Sequence, residues 1–223
     1  MKIAEIFYSL QGEGSLLGVP SVFVRTSGCN LRCAWCDTPY TSWNPEGDDM
    51  GLEQILTEVC RQAARHVVVT GGEPMIAPQI VELTHRLHQC GMHITIETAG
   101  TVAAPVVCDL MSISPKLSNS TPEGPFQAQH ERLRVQPDVL RALIRNYEYQ
   151  LKFVIAAAED VAEASAFIAM IGADPGRVLL MPEGTDSATL HERSLWLAEE
   201  CKRRAYRFSP RLHVDLWGSR RGV

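Results

Sequence analysis

The chain has 223 residues, 45% of them hydrophobic, with 21 Lys and Arg against 26 Asp and Glu and a formal net charge of −5. That length and apolar content suffice for one sizeable core, so a single domain over 1–223 is expected. The acidic balance and the lack of any Lys/Arg-rich stripe exclude the electrostatic footprint of a nucleic-acid binder and leave small-molecule chemistry as the expectation. The opening MKIAEIFYSLQGEG has no basic segment leading into an apolar stretch. No apolar run approaches the ~18 residues of a membrane span, so a cytoplasmic protein that does not enter a membrane is expected.

Extended and helical apolar periods alternate along the chain, the pattern of repeated strand–helix units. Residues 21–25 are rich in branched side chains and read as the first buried strand. Leu52, Ile55, Leu56, Val59, Cys60 and Ala63 then form a helical stripe. Strands are expected at 67–70, 93–97, 106–113, 150–155 and 178–181. Ile80, Leu83 and Leu87 mark a second helix, Val161, Ala164, Phe167, Ile168 and Ile171 a third, and Leu190, Leu197, Ala198 and Cys201 a fourth. About six units predict an α/β fold with an incomplete (β/α) barrel of about six parallel strands; an open doubly wound sheet is the alternative. Residues 117–135 are polar, carry two prolines and hold no period. They read as a long loop and a candidate lid.

Three of the seven cysteines, Cys29, Cys33 and Cys36, fall within eight residues, directly after the first strand. Such spacing suits ligand chemistry in a reducing compartment rather than a disulfide framework. Three thiolates on one loop can hold three corners of a cubane iron-sulfur cluster and leave one iron open. A structural zinc site would need a fourth ligand close by, and none follows. Cys60, Cys90, Cys108 and Cys201 sit among apolar neighbours and read as small buried hydrophobes. After the second strand comes Thr70-Gly71-Gly72-Glu73-Pro74. Its glycines allow close backbone approach to a ligand, and its carbonyls and carboxylate can receive an ammonium, although the string alone is also an ordinary strand-to-helix turn. Later strands close on Glu97-Thr98-Ala99-Gly100-Thr101, Ser114-Pro115-Lys116 and Met181-Pro182-Glu183-Gly184. Polar, Gly and Pro residues collecting at strand C-termini mark the active face of a barrel.

The Cys-x3-Cys-x2-Cys array, with Trp35 just before the last cysteine, resembles the signature of the radical S-adenosylmethionine (SAM) superfamily, and the Gly-Gly-Glu-Pro turn is similar to its second mark. The resemblance implies a radical SAM-type barrel and a [4Fe-4S] cluster on Cys29, Cys33 and Cys36. It also implies reductive cleavage of SAM at the open iron to a 5′-deoxyadenosyl radical. A narrower resemblance, to the 7-carboxy-7-deazaguanine synthase family, covers nearly the whole chain. It rests on Ser9-Leu10-Gln11-Gly12-Glu13-Gly14, Arg25, Cys36-Asp37-Thr38, Thr70, Ser114-Pro115-Lys116 and the C-terminal Arg211-Leu212-His213-Val214-Asp215-Leu216-Trp217-Gly218. That family makes 7-carboxy-7-deazaguanine from 6-carboxy-5,6,7,8-tetrahydropterin with loss of ammonia, in queuosine biosynthesis.

The resemblance implies substrate contacts from Leu10, Gln11, Gly12, Glu13, Arg25 and Thr70. SAM contacts would come from Trp35, Asp37, Gly72, Glu73, Ser114, Pro115, Lys116, Pro182, Glu183 and Gly184, and a Mg²⁺ ligand from Thr38. Arg25 suits a carboxylate because guanidinium is a planar fork of donors, although a strand-edge ion pair is its ordinary use. Thr38, taken alone, is also a helix N-cap. Val223 stands where a version of the family ending in proline places that residue near substrate, so no role is carried over to it. The family further implies a flavodoxin or ferredoxin reductant and a homodimer. Two alternatives are a glycyl-radical-enzyme activase and a zinc-stabilised binding module without catalysis.

Overall fold

The computed structural model describes residues 1–223, and its centre is one nine-stranded sheet. In chain order the strands are β1 (Lys2–Leu10), β2 (Pro20–Thr26), β3 (Asp48–Asp49), β4 (His66–Gly71), β5 (His93–Thr98), β6 (Leu110–Ile113), β7 (Tyr149–Ile155), β8 (Val178–Pro182) and β9 (Arg207–Phe208). The helices are α1 (Pro39–Ser42), α2 (Leu52–Cys60), α3 (Ile80–Gln89), α4 (Gln127–Arg134), α5 (Pro137–Asn146), α6 (Ala158–Ile171), α7 (Ser187–Arg204) and α8 (Leu212–Trp217). The sheet order is β3-β1-β2-β4-β5-β6-β7-β8-β9, with β1 antiparallel to both its neighbours and every pairing from β2 onward parallel. Because β3 and β9 remain as edges, the sheet does not close, and the expected incomplete barrel is the architecture found.

Strand periodicity places the site. Along β7 (YQLKFVI), Leu151, Phe153 and Ile155 are fully buried and belong to the main apolar core, which also takes Val161, Ala164, Phe167 and Ile168 of α6. The Phe153 and Phe167 rings meet edge to face at 5.8 Å. Gln150 and Lys152 alternate with these residues and so point to the other face of the sheet. There Gln150 Nε2 donates to Ser112 Oγ on β6 at 2.8 Å. The apolar core therefore lies between strands and helices, while the inner, concave face is polar. Helix ends are fixed locally: the Asp160 carboxylate accepts from Ala156 N and Ala157 N at the start of α6, and Gly172, at φ +70, closes it.

The structure adds elements beyond those expected from the sequence: α5, which buries Leu140 and Leu143, and the short β3, β9, α1 and α8. β1 was not anticipated; it pairs with β2 from Ile3↔Thr26 to Leu10↔Pro20 with a bulge near its start. The strand expected over 106–113 is confined to Leu110–Ile113. Before it, Val107 N donates to Thr84 Oγ1 at 3.1 Å and the Val106 carbonyl accepts from Tyr147 Oη at 3.1 Å, so those backbone groups serve side chains rather than a ladder. Residues 117–135 are not wholly loop, since they contain α4, a helix so polar that His130 is its one buried residue. Cys60 and Cys90 are exposed rather than buried. No helix is long and apolar enough to cross a membrane.

Candidate active site and iron-sulfur centre

A cavity of about 340 Å³ opens where the parallel strands end. Cys29, Cys33 and Cys36 all line it. Their loop leaves β2 at Gly28, whose φ of +111° only glycine holds without strain. Gly28 N donates to the Thr41 carbonyl at 2.8 Å and the Gly28 carbonyl accepts from Glu73 N at 2.9 Å, tying the loop to α1 and to the turn after β4. That turn explains the two glycines. A Cβ on Gly71, at φ +118°, would lie 2.1 Å from the Thr26 carbonyl oxygen, and one on Gly72 would lie 2.0 Å from that of Gly28.

The thiols fit metal ligation better than a free nucleophilic role. Burial pushes the Cys29 thiol up to about 11 and the Cys33 thiol up to about 12, so neither is an activated free nucleophile. A metal centre supplies the positive charge that would hold them as thiolates. Cys36 Sγ lies 3.2 Å from Ser42 Oγ, and the Cys33 carbonyl accepts from Trp43 Nε1 at 3.0 Å.

Opposite the cysteines, strand ends deliver a set of hydrogen-bonding groups. Glu97 Oε1 accepts from Gln11 Nε2 at 3.3 Å, and its Oε2 accepts from Thr70 Oγ1 at 2.9 Å. Glu13 pairs with Lys152 and accepts from Arg211 Nε at 3.1 Å. Burial works to raise the Glu13 pKa, but Lys152 and Arg211 overcome it and hold the carboxyl well below the usual carboxylate range. Arg211 also pairs with Asp37, which follows Cys36 on the cysteine loop, and donates to the Gly184 carbonyl at 2.6 Å. Burial opposes the Asp37 charge as well, and Arg211 again brings the pKa below its ordinary value. Arg25 Nε donates to Glu5 at 2.6 Å and the guanidinium lies over Phe7 at 5.4 Å, leaving its two Nη nitrogens without a protein acceptor. Thr38 is the N-cap residue of α1, yet its side chain caps nothing.

Sixteen of the expected site residues line this one cavity: Leu10, Gln11, Gly12, Glu13, Arg25, Cys29, Cys33, Trp35, Cys36, Asp37, Thr38, Thr70, Gly72, Ser114, Lys116 and Glu183. Pro115, Pro182, Gly184 and Glu73 do not. Glu73 is fully buried, accepting from Met75 N at 3.1 Å, Thr98 Oγ1 at 2.7 Å and Ala99 N at 2.9 Å. It thereby ties the end of β4 to that of β5. Glu97, Lys152, Arg211 and His213 also line the cavity, although the sequence reading gave none of them a site role: Glu97 stood only among the strand-end residues, Arg211 and His213 only within the C-terminal resemblance. Glu97 at a strand end and Lys152 as the lone cation of an apolar strand were detectable. Arg211 and His213 belonged to a stretch that carried the resemblance, but nothing local marked them as cavity residues.

The Radical SAM superfamily model matches residues 23–175. A protein of Halobacterium salinarum named 7-carboxy-7-deazaguanine synthase is 44% identical, over 97% of this chain and 90% of that one. One of the same name from Rhodopirellula baltica is 43% identical, over 99% of this chain and 88% of that one. The chain belongs to the 7-carboxy-7-deazaguanine synthase family of radical SAM enzymes. The crystal structure of QueE from Escherichia coli superposes with a TM-score of 0.74 at 28% identity, covering 95% of this chain and 94% of that one. Family membership makes the chain a lyase acting on a small molecule and implies a [4Fe-4S] cluster and SAM as its cofactors.

Proposed function

We propose that this enzyme converts 6-carboxy-5,6,7,8-tetrahydropterin to 7-carboxy-7-deazaguanine with release of ammonia, using Mg²⁺ beside its cluster and SAM. One observation carries the reading: a single cavity joins the three cluster cysteines to a hydrogen-bonding set that suits a carboxylated pterin. The free Nη fork of Arg25 matches the substrate carboxylate. Gln11, Thr70 and the acceptor oxygens of Glu97 and Glu13 match the donors and acceptors of a pterin edge, with Leu10 and Gly12 contributing backbone at the same rim. Lys152 and Arg211 keep Glu13 ionised, so it accepts hydrogen bonds and gives none.

Trp35, Asp37, Gly72 and the turn at Ser114 and Lys116 form the SAM side, and Glu183 lies at its margin. Gly72 lets the backbone approach where a side chain could not. Thr38, with its hydroxyl free of capping duty, offers one oxygen to Mg²⁺, an ion that keeps waters and takes its remaining ligands from substrate. The cluster and SAM together supply the one-electron cleavage and hydrogen-atom abstraction; the protein positions and shields. On the same reading the chain folds as one domain, works as a cytoplasmic homodimer and draws electrons from a flavodoxin or ferredoxin.

The test is anaerobic turnover with the carboxypterin, SAM, reductant and Mg²⁺ and no other protein. The proposal expects the deazapurine by mass and one ammonia per product. SAM cleavage without either, restored only by a protein substrate, would favour an activase instead.

A further inference from the structure

Residues 117–135 pack behind the cluster loop, and none of them lines the cavity. Ala34 N donates to the Ser120 carbonyl at 2.8 Å, and Trp35 Nε1 donates to Asn119 Oδ1 at 3.2 Å. Phe126 lies 5.4 Å from the Arg32 guanidinium and meets Trp43 edge-on at 5.6 Å. Arg32 N donates to His130 Nδ1 at 3.2 Å, although His130 is otherwise the single buried residue of a polar helix.

The tautomer of His130 follows from its partners. Ser120 Oγ donates to the Leu117 carbonyl at 2.6 Å, so toward His130 Nε2, 2.9 Å away, it acts as acceptor. Nε2 therefore carries the ring hydrogen, and Nδ1 presents its lone pair to Arg32 N. Within the cluster loop, Cys36 N donates to the Cys33 carbonyl at 3.3 Å and Leu31 N to Cys29 Sγ at 3.4 Å, while Arg32 Nη1 donates to the Cys29 and Leu31 carbonyls at 2.8 and 2.7 Å. None of these bonds uses the backbone amide of Arg32 or Ala34, which find their acceptors in His130 and Ser120. The two anchored amides, Arg32 and Ala34, flank Cys33 on both sides. Because both amides reach outside the loop for their acceptors, the shell behind it fixes the backbone on either side of Cys33.

The geometry points to His130 as a positioning residue for the iron-sulfur loop, with residues 117–135 acting as an external buttress of that loop instead of a cover over substrate. This inference rests on the cluster reading and is independent of the pterin.

The test compares His130→Asn with His130→Gln. Asparagine Oδ1 occupies the place of Nδ1 and keeps the acceptor for Arg32 N, while glutamine reaches the place of Nε2 and keeps only the Ser120 contact. Two readouts are taken: amide hydrogen exchange over residues 30–36 in the cluster-free protein, and the rate at which a chelator strips iron from the anaerobic holoprotein. A buried amide left without its acceptor predicts roughly tenfold faster exchange and iron loss in the glutamine variant, with the asparagine variant within about threefold of the parent. Equal behaviour of the two variants, or parental behaviour of both, would overturn the inference. Should the glutamine variant not fold, Ser120→Ala decides, because it removes the acceptor that fixes the tautomer. Faster exchange at residue 32 supports the buttress, and unchanged exchange there refutes it. Neither readout involves product formation, so failure of the pterin reading leaves this test intact.

Discussion

Gly72→Ala isolates the packing on which the site depends. The added Cβ would stand 2.0 Å from the Gly28 carbonyl oxygen, 2.5 Å from its carbon and 2.9 Å from the Thr41 carbonyl oxygen. All three are backbone atoms, so no side chain can rotate away. Reaching a tolerable separation takes a displacement of about 1 Å between the β4 turn and the start of the cluster loop. Overpacking of this kind costs roughly 1–3 kcal/mol. The shift also endangers the bond from Gly28 N to the Thr41 carbonyl and that from Glu73 N to the Gly28 carbonyl, at 2.8 and 2.9 Å. These add about 1 kcal/mol each. A total of about 3–5 kcal/mol lowers the melting temperature by about 6–20 °C in a domain of this size. Because a misplacement of about 1 Å can cost about 100-fold in rate, SAM cleavage should fall by about that factor. Gly51→Ala is the control, since a Cβ there meets only Gln54 Oε1 at 3.7 Å. The assay is thermal melting together with reductant-driven SAM cleavage in both variants. Parental stability and cleavage in Gly72→Ala would refute the close-approach argument.

Glu13→Gln breaks a buried ion cluster and should cost about 3 kcal/mol at neutral pH, because Lys152 and Arg211 lose their shared partner. With its folded pKa depressed, Glu13 contributes fully above the ordinary carboxylate range and loses that contribution as pH falls through and below about 4. The melting gap between parent and variant should therefore narrow on acidification, and a gap that widens would contradict the assignment. Arg25→Lys removes the planar fork and should lower kcat/KM for the carboxypterin by about 10–100-fold, while SAM cleavage without pterin stays within about twofold. Thr38→Val removes the offered oxygen and should raise the Mg²⁺ concentration needed for half-maximal turnover, measured by titration, with cluster content unchanged.

The parts of the site that were legible in the sequence share one property: their residues are neighbours along the chain. Cys29, Cys33 and Cys36 announce themselves because the proposed cluster would be wrapped by one loop, and Gly71-Gly72 because close backbone approach demands missing side chains. The six long parallel strands were readable because their buried faces leave branched runs. What stayed hidden within the site depends on distant partners, whereas α5 was missed despite a local stripe of Leu140 and Leu143. Arg211 meets Glu13 and Asp37 across 198 and 174 positions, which no local pattern encodes. α4 escaped because a helix anchored by one buried histidine has no apolar stripe. Glu73 shows the converse: within its motif it reads as a ligand-facing carboxylate, yet three hydrogen bonds claim it for the join between β4 and β5.

On the proposed function, the thiols of Cys29, Cys33 and Cys36 leave one iron of a cubane open to SAM. Magnetic resonance of the reduced, anaerobic protein mixed with SAM labelled at its amino nitrogen and carboxylate oxygen examines that directly. Hyperfine coupling from both labels to the cluster is the result expected, lost together with the cluster in Cys33→Ala. A reduced cluster of four irons that shows no coupling to either label would contradict the claim.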